Sequence, residues 1–292
     1  MSENSKELTY IEQITEASTY VELMMTNYYN EAARFVPQVG MILGSGLGDL
    51  ALQVENPLIV EYGDIPYFPK STVEGHAGRF VIGKLEGRQV IIMQGRFHYY
   101  EGYSMKKVVF PVYVMKRLGI TAMIVTNACG GMNKSFQAGD LMLIRDHINL
   151  TGDNPLIGSN DADLGVRFQD MSQAYDRDYG NLLLRLANDS TAQSVGRLQE
   201  GVYCGISGPA YMTPQELTML ARIGGDAIGM STVGEVIAAR HADIRVLGIS
   251  CVTDMAIGDE LEPLTHAQVM AVAEQTKPWF TSLVRDFLRE MQ

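Results

Sequence analysis

The stretch from Val39 to Leu50, VGMILGSGLGDL, constrains the chain most, because an apolar run ends there in three closely spaced glycines. Val39, Met41, Ile42 and Leu43 read as a buried strand. Gly44, Ser45, Gly46 and Gly48 read as the loop leaving it, where backbone N–H groups can converge on an anion. A glycine turn after a buried strand is more often only a turn, so a phosphate-sized site needs a complementary cation from elsewhere in the chain. The spacing G-x-G-x-G misplaces the third glycine for a dinucleotide fold, and no G-x-x-x-x-G-K-[ST] run follows.

The 292 residues, 46% of them hydrophobic, hold ample material for a sizeable core. A formal net charge of −11 argues against non-specific binding to nucleic acid or an anionic membrane, since both require a basic face. An anion must therefore be held by a local site. The first residues, MSENSKELTY, lack a basic segment followed by an apolar one, and no run approaches the roughly 18 apolar residues of a membrane span, so a cytoplasmic location is expected. Cys129, Cys204 and Cys251 sit far apart in apolar runs, which suits reduced core thiols better than disulfides or a metal cluster.

From Leu8 to Tyr29 the positions of Ile11, Ile14, Val21, Met24 and Met25 predict an amphipathic helix. β-like runs follow at Arg79 to Leu85, Val90 to Met93, Ala122 to Thr126, Leu141 to Arg145, Val202 to Ile206 and Arg245 to Cys251. Helical segments alternate with them: Thr213-Pro214-Gln215-Glu216 is a capping box with Gly224 as the stop, and Thr265 to Gln268 opens the last helix in the same way. This alternation indicates an α/β fold with a largely buried sheet and helices on its faces. Thr151 to Gln169, rich in Gly, Asn and Asp, reads as a long loop of functional or interfacial use. Neither a repeat nor a linker marks a domain boundary.

The most concentrated polar stretch, Gly95 to Gly102, follows the strand ending at Met93, where ligands of α/β sheets usually bind. Arg96 could grip a phosphate with two parallel N–H bonds and His98 could add a donor, with Glu101 holding one of the two in place. An Arg–Glu ion pair at a sheet edge is the competing reading of the same residues. Thr126-Asn127-Ala128-Cys129-Gly130-Gly131 also ends a buried strand in small residues that allow close approach of a ligand. Ser231 stands at the expected N-cap of a helix running to about His241, an arrangement that favours an anion and equally suits plain capping.

Together these stretches resemble the trimeric purine nucleoside phosphorylases along nearly the whole chain. The segments that carry the resemblance are GSGLG at 44–48, STVEGHAGRF at 71–80, QGRFHYYEGYS at 94–104, TNACGGMN at 126–133, GDLMLIRDHINLTGDNPL at 139–156, AYDR at 174–177, GPAYMTP at 208–214, GMSTVGEVIAARH at 229–241 and CVTDMA at 251–256. The resemblance implies a single-domain phosphorylase/hydrolase-like α/β fold over residues 1–292, with a central mixed sheet flanked by helices. It also implies reversible conversion of a purine nucleoside and inorganic phosphate into free purine and ribose 1-phosphate, with phosphate as co-substrate and neither metal nor other cofactor.

By the same resemblance phosphate would lie among Ser45, Arg96, His98, the backbone N–H of Ala128, and Ser231, with His76 on the GHAG loop nearby. Ribose would contact Tyr100, Met230 and His266, the last reaching the 5′-hydroxyl. The purine would lie beside Ala128, Cys129, Gly130, Tyr211 and Ile228, facing Met212 and Asp254. Phe168 would reach into the neighbouring subunit's site, making a homotrimer part of the active site. Bond cleavage builds positive charge on the sugar and negative charge on the base. His98 then helps hold the attacking phosphate, while Asp254 donates to purine N7.

Two positions depart from the family pattern, which usually has glutamate at Met212 and asparagine at Asp254. Methionine cannot accept from the guanine edge, and aspartate suits the 6-amino group of adenine. Adenosine is therefore expected over guanosine. The alternatives are a 6-oxopurine phosphorylase in which Met212 is neutral drift, a methylthioadenosine phosphorylase, and a phosphosugar-binding module without catalysis. The related methylthioadenosine phosphorylases share the aspartate but lack the matching His266, which favours a 5′-hydroxyl here. His76, His98, His147, His241 and His266 show no H-E-x-x-H spacing, which argues against a metal hydrolase.

Overall fold

Apolar strand runs alternating with amphipathic helices produce one mixed sheet flanked by helices in the computed structural model, which describes residues 8–30, 34–73, 76–189 and 197–292. Nine strands pair among these residues: β1 (Val39–Leu43), β2 (Glu55–Glu61), β3 (Arg79–Leu85), β4 (Arg88–Gln94), β5 (Ala122–Gly131), β6 (Leu141–Leu150), β7 (Leu198–Ile206), β8 (Ala227–Gly229) and β9 (Arg245–Met255). Their order is β2-β3-β4-β1-β5-β8-β7-β6-β9, and β9 also pairs with β5, so the last five strands close on themselves. β1 is buried along its whole length, as an apolar run lying between two parallel neighbours, β4 and β5, should be. β9 runs parallel to β5 from Arg245 onward. Strands β1, β4, β5 and β9 therefore end on the same side of the sheet.

One face is covered by α1 (Tyr10–Tyr29), α2 (Met105–Leu118) and α5 (Val233–His241), and the other by α3 (Arg177–Asp189) and α6 (His266–Glu290); α4 is Pro214–Arg222. Helix α1 opens on a capping box between Thr9 and Glu12 and buries Ile14, Val21 and Met25 of the expected stripe, together with Ala17 and Ser18. Helix α6 packs Trp279, Phe280, Leu283, Val284 and Phe287 against the sheet; truncating either phenylalanine to alanine costs about 3–5 kcal/mol. Both capping boxes expected from the sequence form, Thr213 with Glu216 and Thr265 with Gln268. All three cysteines are buried and free. Among the described residues no helix is long and apolar enough to cross a membrane.

Three local expectations are corrected. Strand β5 continues through Gly131, five residues beyond the expected end at Thr126. Strand β9 continues to Met255, which puts Thr253 and Asp254 at its end. Helix α5 begins at Val233 with Thr232 in the cap position, so Ser231 is not the N-cap. The reason is a tight turn: the Val233 N–H bonds the Ser231 carbonyl at 2.8 Å while Thr232 takes φ 74° and ψ −52°. That left-handed backbone costs a threonine about 1–3 kcal/mol.

Candidate active site

The residues that follow β1, β4 and β8, and those at the ends of β5 and β9, surround a cavity of about 850 Å3. It is lined at one end by Ser45, Arg96, His98, Ala128 and Ser231, and along its length by Tyr100, Met230 and His266. The other end brings together Cys129, Gly130, Tyr211, Met212, Ile228 and Asp254. Two expected residues do not line it. His76 lies behind the charged end, with Nε2 3.5 Å from Ser45 Oγ and its ring centroid 5.4 Å from that of His98; its neighbours on the GHAG loop, Glu74 and Gly75, fall outside the described residues. Phe168 sits on the 151–176 segment, 89% exposed and free of the cavity of its own chain.

Arg96 is held differently from the expectation. Its Nε and Nη2 donate to the two carboxylate oxygens of Glu235 on α5, at 3.0 and 2.6 Å, and Nη1 donates to the Thr126 carbonyl. The parallel pair of N–H bonds expected to grip a ligand is thus engaged by Glu235, with the arginine 1% and the glutamate 3% exposed. A guanidinium has five N–H groups, so two remain for a ligand at the cavity wall. Burying such a pair costs desolvation, and removing one partner leaves a stranded charge at about 3–5 kcal/mol. Gly44 is needed here: a Cβ on it would lie 2.9 Å from the Thr126 carbonyl and 3.2 Å from Arg96 Nη1. Its own N–H is already engaged by Thr126 Oγ1 at 3.1 Å, so the glycine loop offers fewer free donors than its sequence suggests.

Glu101 holds His98 and not Arg96. Its Oε1 accepts from the His98 backbone N–H at 2.7 Å and from Nδ1 at 3.1 Å, while Oε2 accepts from the Thr72 N–H and hydroxyl. These bonds outweigh burial and hold the Glu101 carboxyl down at about 2. Burial, opposed by Glu101, lowers the His98 imidazole below its usual range, and burial together with His98 lowers His76 to about 4. With Nδ1–H given to Glu101, His98 presents Nε2 as an acceptor when neutral and a donor when protonated. Ser231 is tied into the wall by its hydroxyl, 3.1 Å from Thr232 Oγ1, which in turn accepts from Asn127 Nδ2 at 2.9 Å.

The opposite end is apolar. Met212 and Met230 pack against the small cluster of Ile206, Leu217, Ile228 and Ala256. Asp254 enters this setting from the end of β9, and burial pushes its carboxyl above the usual range, against a Thr253 hydroxyl bond that lowers it. Burial also raises the Cys129 thiol, which leaves it protonated and unreactive at neutral pH.

The family model described as the phosphorylase superfamily matches residues 38–289. Purine nucleoside phosphorylase 1 of Bacillus subtilis is 56% identical over 256 residues, which cover 88% of this chain and 93% of that one. The chain belongs to the purine nucleoside phosphorylase family. Crystal structures of the Schistosoma mansoni purine nucleoside phosphorylase, one with adenosine and one with inosine, superpose with TM-scores of 0.89 and 0.88 at 38% and 37% identity, each covering 98% of this chain and 99% of that one. A purine nucleoside phosphorylase brings an anion and a neutral heterocycle into one cavity, and the division of this one into a charged and an apolar end matches that requirement.

Sequence reasoning missed Glu235, Thr253 and the 260–264 segment, whose Glu260, Leu261, Glu262, Pro263 and Leu264 also line the cavity. Glu235 carried a signal, because it is a lone carboxylate on a helix buried at almost every position. Among the described residues no group of three His, Cys, Asp or Glu side chains is placed to hold a metal ion.

Proposed function

We propose that this purine nucleoside phosphorylase takes adenosine in preference to guanosine, with phosphate at the charged end of the cavity and the base at the apolar end. Arg96, His98, Ser45, Ser231 and the Ala128 N–H hold the phosphate, with His76 supporting Ser45 from behind. Tyr100, Met230 and His266 contact the ribose. Cys129, Gly130, Tyr211 and Ile228 wall the purine. Inorganic phosphate is the co-substrate, and no further cofactor enters.

The reaction breaks the bond from C1′ to N9 and forms one from C1′ to a phosphate oxygen. The purine leaves with the electron pair. Holding the phosphate in line with C1′ supplies much of the rate, about 7 kcal/mol or more in well-oriented cases. Its negative charge then offsets the cationic ribosyl group. At the far end a protonated Asp254 donates to N7 as negative charge builds on the base, a contribution typically about 10²–10⁴-fold.

The observation that carries the base preference is Asp254, a carboxyl raised by burial in a cavity that Met212 also lines. A protonated Asp254 donates to N7 with one oxygen and accepts the 6-amino group with the other. Met212 cannot accept from guanine N1–H and the 2-amino group, which leaves buried donors unpaired at about 1–3 kcal/mol. The exposed Phe168 supports a homotrimer in which it completes a neighbour's site. Two further parts of the proposal are a single domain across residues 1–292 and a place in cytoplasmic purine salvage. Base release from adenosine, inosine, guanosine and methylthioadenosine, each with and without phosphate, tests the function. Equal kcat/KM on adenosine and guanosine overturns the preference, and release without phosphate overturns the mechanism.

A further inference from the structure

Asp254 has two oxygens with unlike surroundings. Oδ1 lies 3.0 Å from Thr253 Oγ1, on the same strand. Oδ2 has no hydrogen-bond partner among the described residues, and a Cβ on Gly130 would stand 3.1 Å from it, so the glycine leaves space beside this oxygen at the cavity wall. Thr253 is 4% exposed, so its hydroxyl must find partners inside the protein. It has one proton and two acceptors within reach: Asp254 Oδ1 at 3.0 Å and the Cys129 carbonyl at 3.2 Å.

Two arrangements follow. If Thr253 donates to the Cys129 carbonyl, its oxygen is free to accept, and Asp254 can carry its proton on Oδ1, given to Thr253 and not to the base. If Thr253 donates to Oδ1, that oxygen is closed to a proton facing it. While Asp254 is ionised the bond to Oδ1 is roughly twice as strong as one to a neutral carbonyl, and it is also the shorter of the two, so a returning proton finds Oδ1 already occupied and settles on Oδ2. We infer that Thr253 is a positioning residue that keeps Asp254 Oδ1 an acceptor, so that the proton Asp254 gives to the purine is carried on Oδ2. The inference rests on Asp254 acting as the donor to N7. In the step itself the Oδ2–H proton passes to N7, the electron pair stays on Asp254 as carboxylate, and the residue takes a proton back from water after the base departs.

The groups facing Asp254 from neighbouring elements are the Cys129 thiol on β5 and the Tyr211 hydroxyl before α4; Glu260, Glu262 and His266 line the same cavity. Burial raises Cys129 and Tyr211, so neither is charged near neutral pH. Loss of the Asp254 proton gives the adenosine profile an alkaline limb that Asp254→Asn distinguishes from the deprotonation of His98, and Thr253 moves it. A bond donated to the carboxylate lowers its pKa, so removing that bond raises it.

The test is the pH profile of kcat and kcat/KM for adenosine in Thr253→Val, Thr253→Ala, Thr253→Ser and Asp254→Asn, beside the parent. Thr253→Val and Thr253→Ala are expected to move the alkaline limb up by about one pH unit and to lower maximal kcat about tenfold, with adenosine KM changed less. Thr253→Ser restores both. An alkaline limb that stays in place in the valine and alanine variants overturns the inference, as does a serine variant that behaves like alanine. Serine and alanine differ by the hydroxyl alone, so the comparison stands even if valine prevents folding. Asp254→Asn separates the two readings: loss of the limb in that variant with no movement in Thr253→Ala overturns the role of Thr253 alone. Persistence of the limb in Asp254→Asn overturns the donor role of Asp254, and the inference with it.

Discussion

Replacing Glu235 by glutamine separates charge from geometry at the phosphate end. The side chain keeps its shape, loses its charge and presents an NH2 group to one of the Arg96 nitrogens now bonded at 2.6 or 3.0 Å. One charge-assisted bond is lost and a donor meets a donor, which costs about 1.5–3 kcal/mol of stability. At about 2 °C per kcal/mol for a chain of this length, the melting temperature falls by about 3–6 °C. Two effects then oppose each other in catalysis. Removing a buried negative charge makes the site more attractive to phosphate, so phosphate KM falls or stays within about threefold. Losing the bidentate hold lets the guanidinium turn, and a misplacement on the order of 1 Å costs up to about 10²-fold in rate. The expected result is therefore a kcat at least about tenfold lower with phosphate KM no higher than about threefold above the parent. Steady-state kinetics in phosphate at saturating adenosine, with a thermal melt on the same preparation, give both quantities. An unchanged kcat in a variant that melts lower would refute the positioning role and leave Glu235 a structural counter-ion.

Other changes test the remaining parts of the site. Asp254→Asn should move preference toward inosine, because an amide NH2 donates to O6 where the accepting oxygen of Asp254 cannot; an unaltered ratio of kcat/KM for adenosine and inosine counts against the hydrogen-bond assignment. Met212→Glu should raise guanosine kcat/KM by about tenfold or more by pairing the guanine donors, equivalent to about 1.4 kcal/mol, with adenosine as the control. His76 is lowered to about 4 by burial, so its neutral form is favoured in the folded state. The stability this represents is present above the unfolded value of 6.5 and is lost as pH falls from there toward 4. Unfolding free energy should decline across that window at up to about 1.4 kcal/mol per pH unit, read as a falling melting temperature, and His76→Asn should flatten the decline. A wild-type slope in the variant would assign the acid sensitivity elsewhere.

What the sequence disclosed divides along the line between local and distant causes. The apolar runs of β1, β4, β5 and β9 and the capping boxes at Thr213 and Thr265 were legible because each is decided within a few residues. The partner of Arg96 was not. Glu101 stands near it in sequence, yet the carboxylate that binds it is 139 residues away on α5, and Glu101 turns instead to His98. The helix start after Gly229 misled for another reason. Ser231 and Thr232 are both good caps, and only the turn that bonds Val233 N–H to the Ser231 carbonyl decides between them. The convergence of Ser45, Arg96, Ala128 and Asp254 on one side follows from the parallel pairing of β1 with β4 and of β5 with both β1 and β9, a long-range arrangement that no single run of sequence contains.

The two ends of the cavity differ in how many residues must change together. At the phosphate end each functional group is held by a second one: Arg96 by Glu235 and Thr126, His98 by Glu101, and Ser231 through Thr232 by Asn127. A substitution there strands a buried partner, at about 1–3 kcal/mol for a neutral group and more for a charge. At the other end Met212 packs against apolar neighbours, and among the described residues Asp254 makes one side-chain bond, to Thr253. Changing Met212 strands nothing, and changing Asp254 to asparagine leaves an acceptor for Thr253 in place. A substitution at Met212 or Asp254 therefore disturbs fewer partners than one at Arg96, His98 or Ser231.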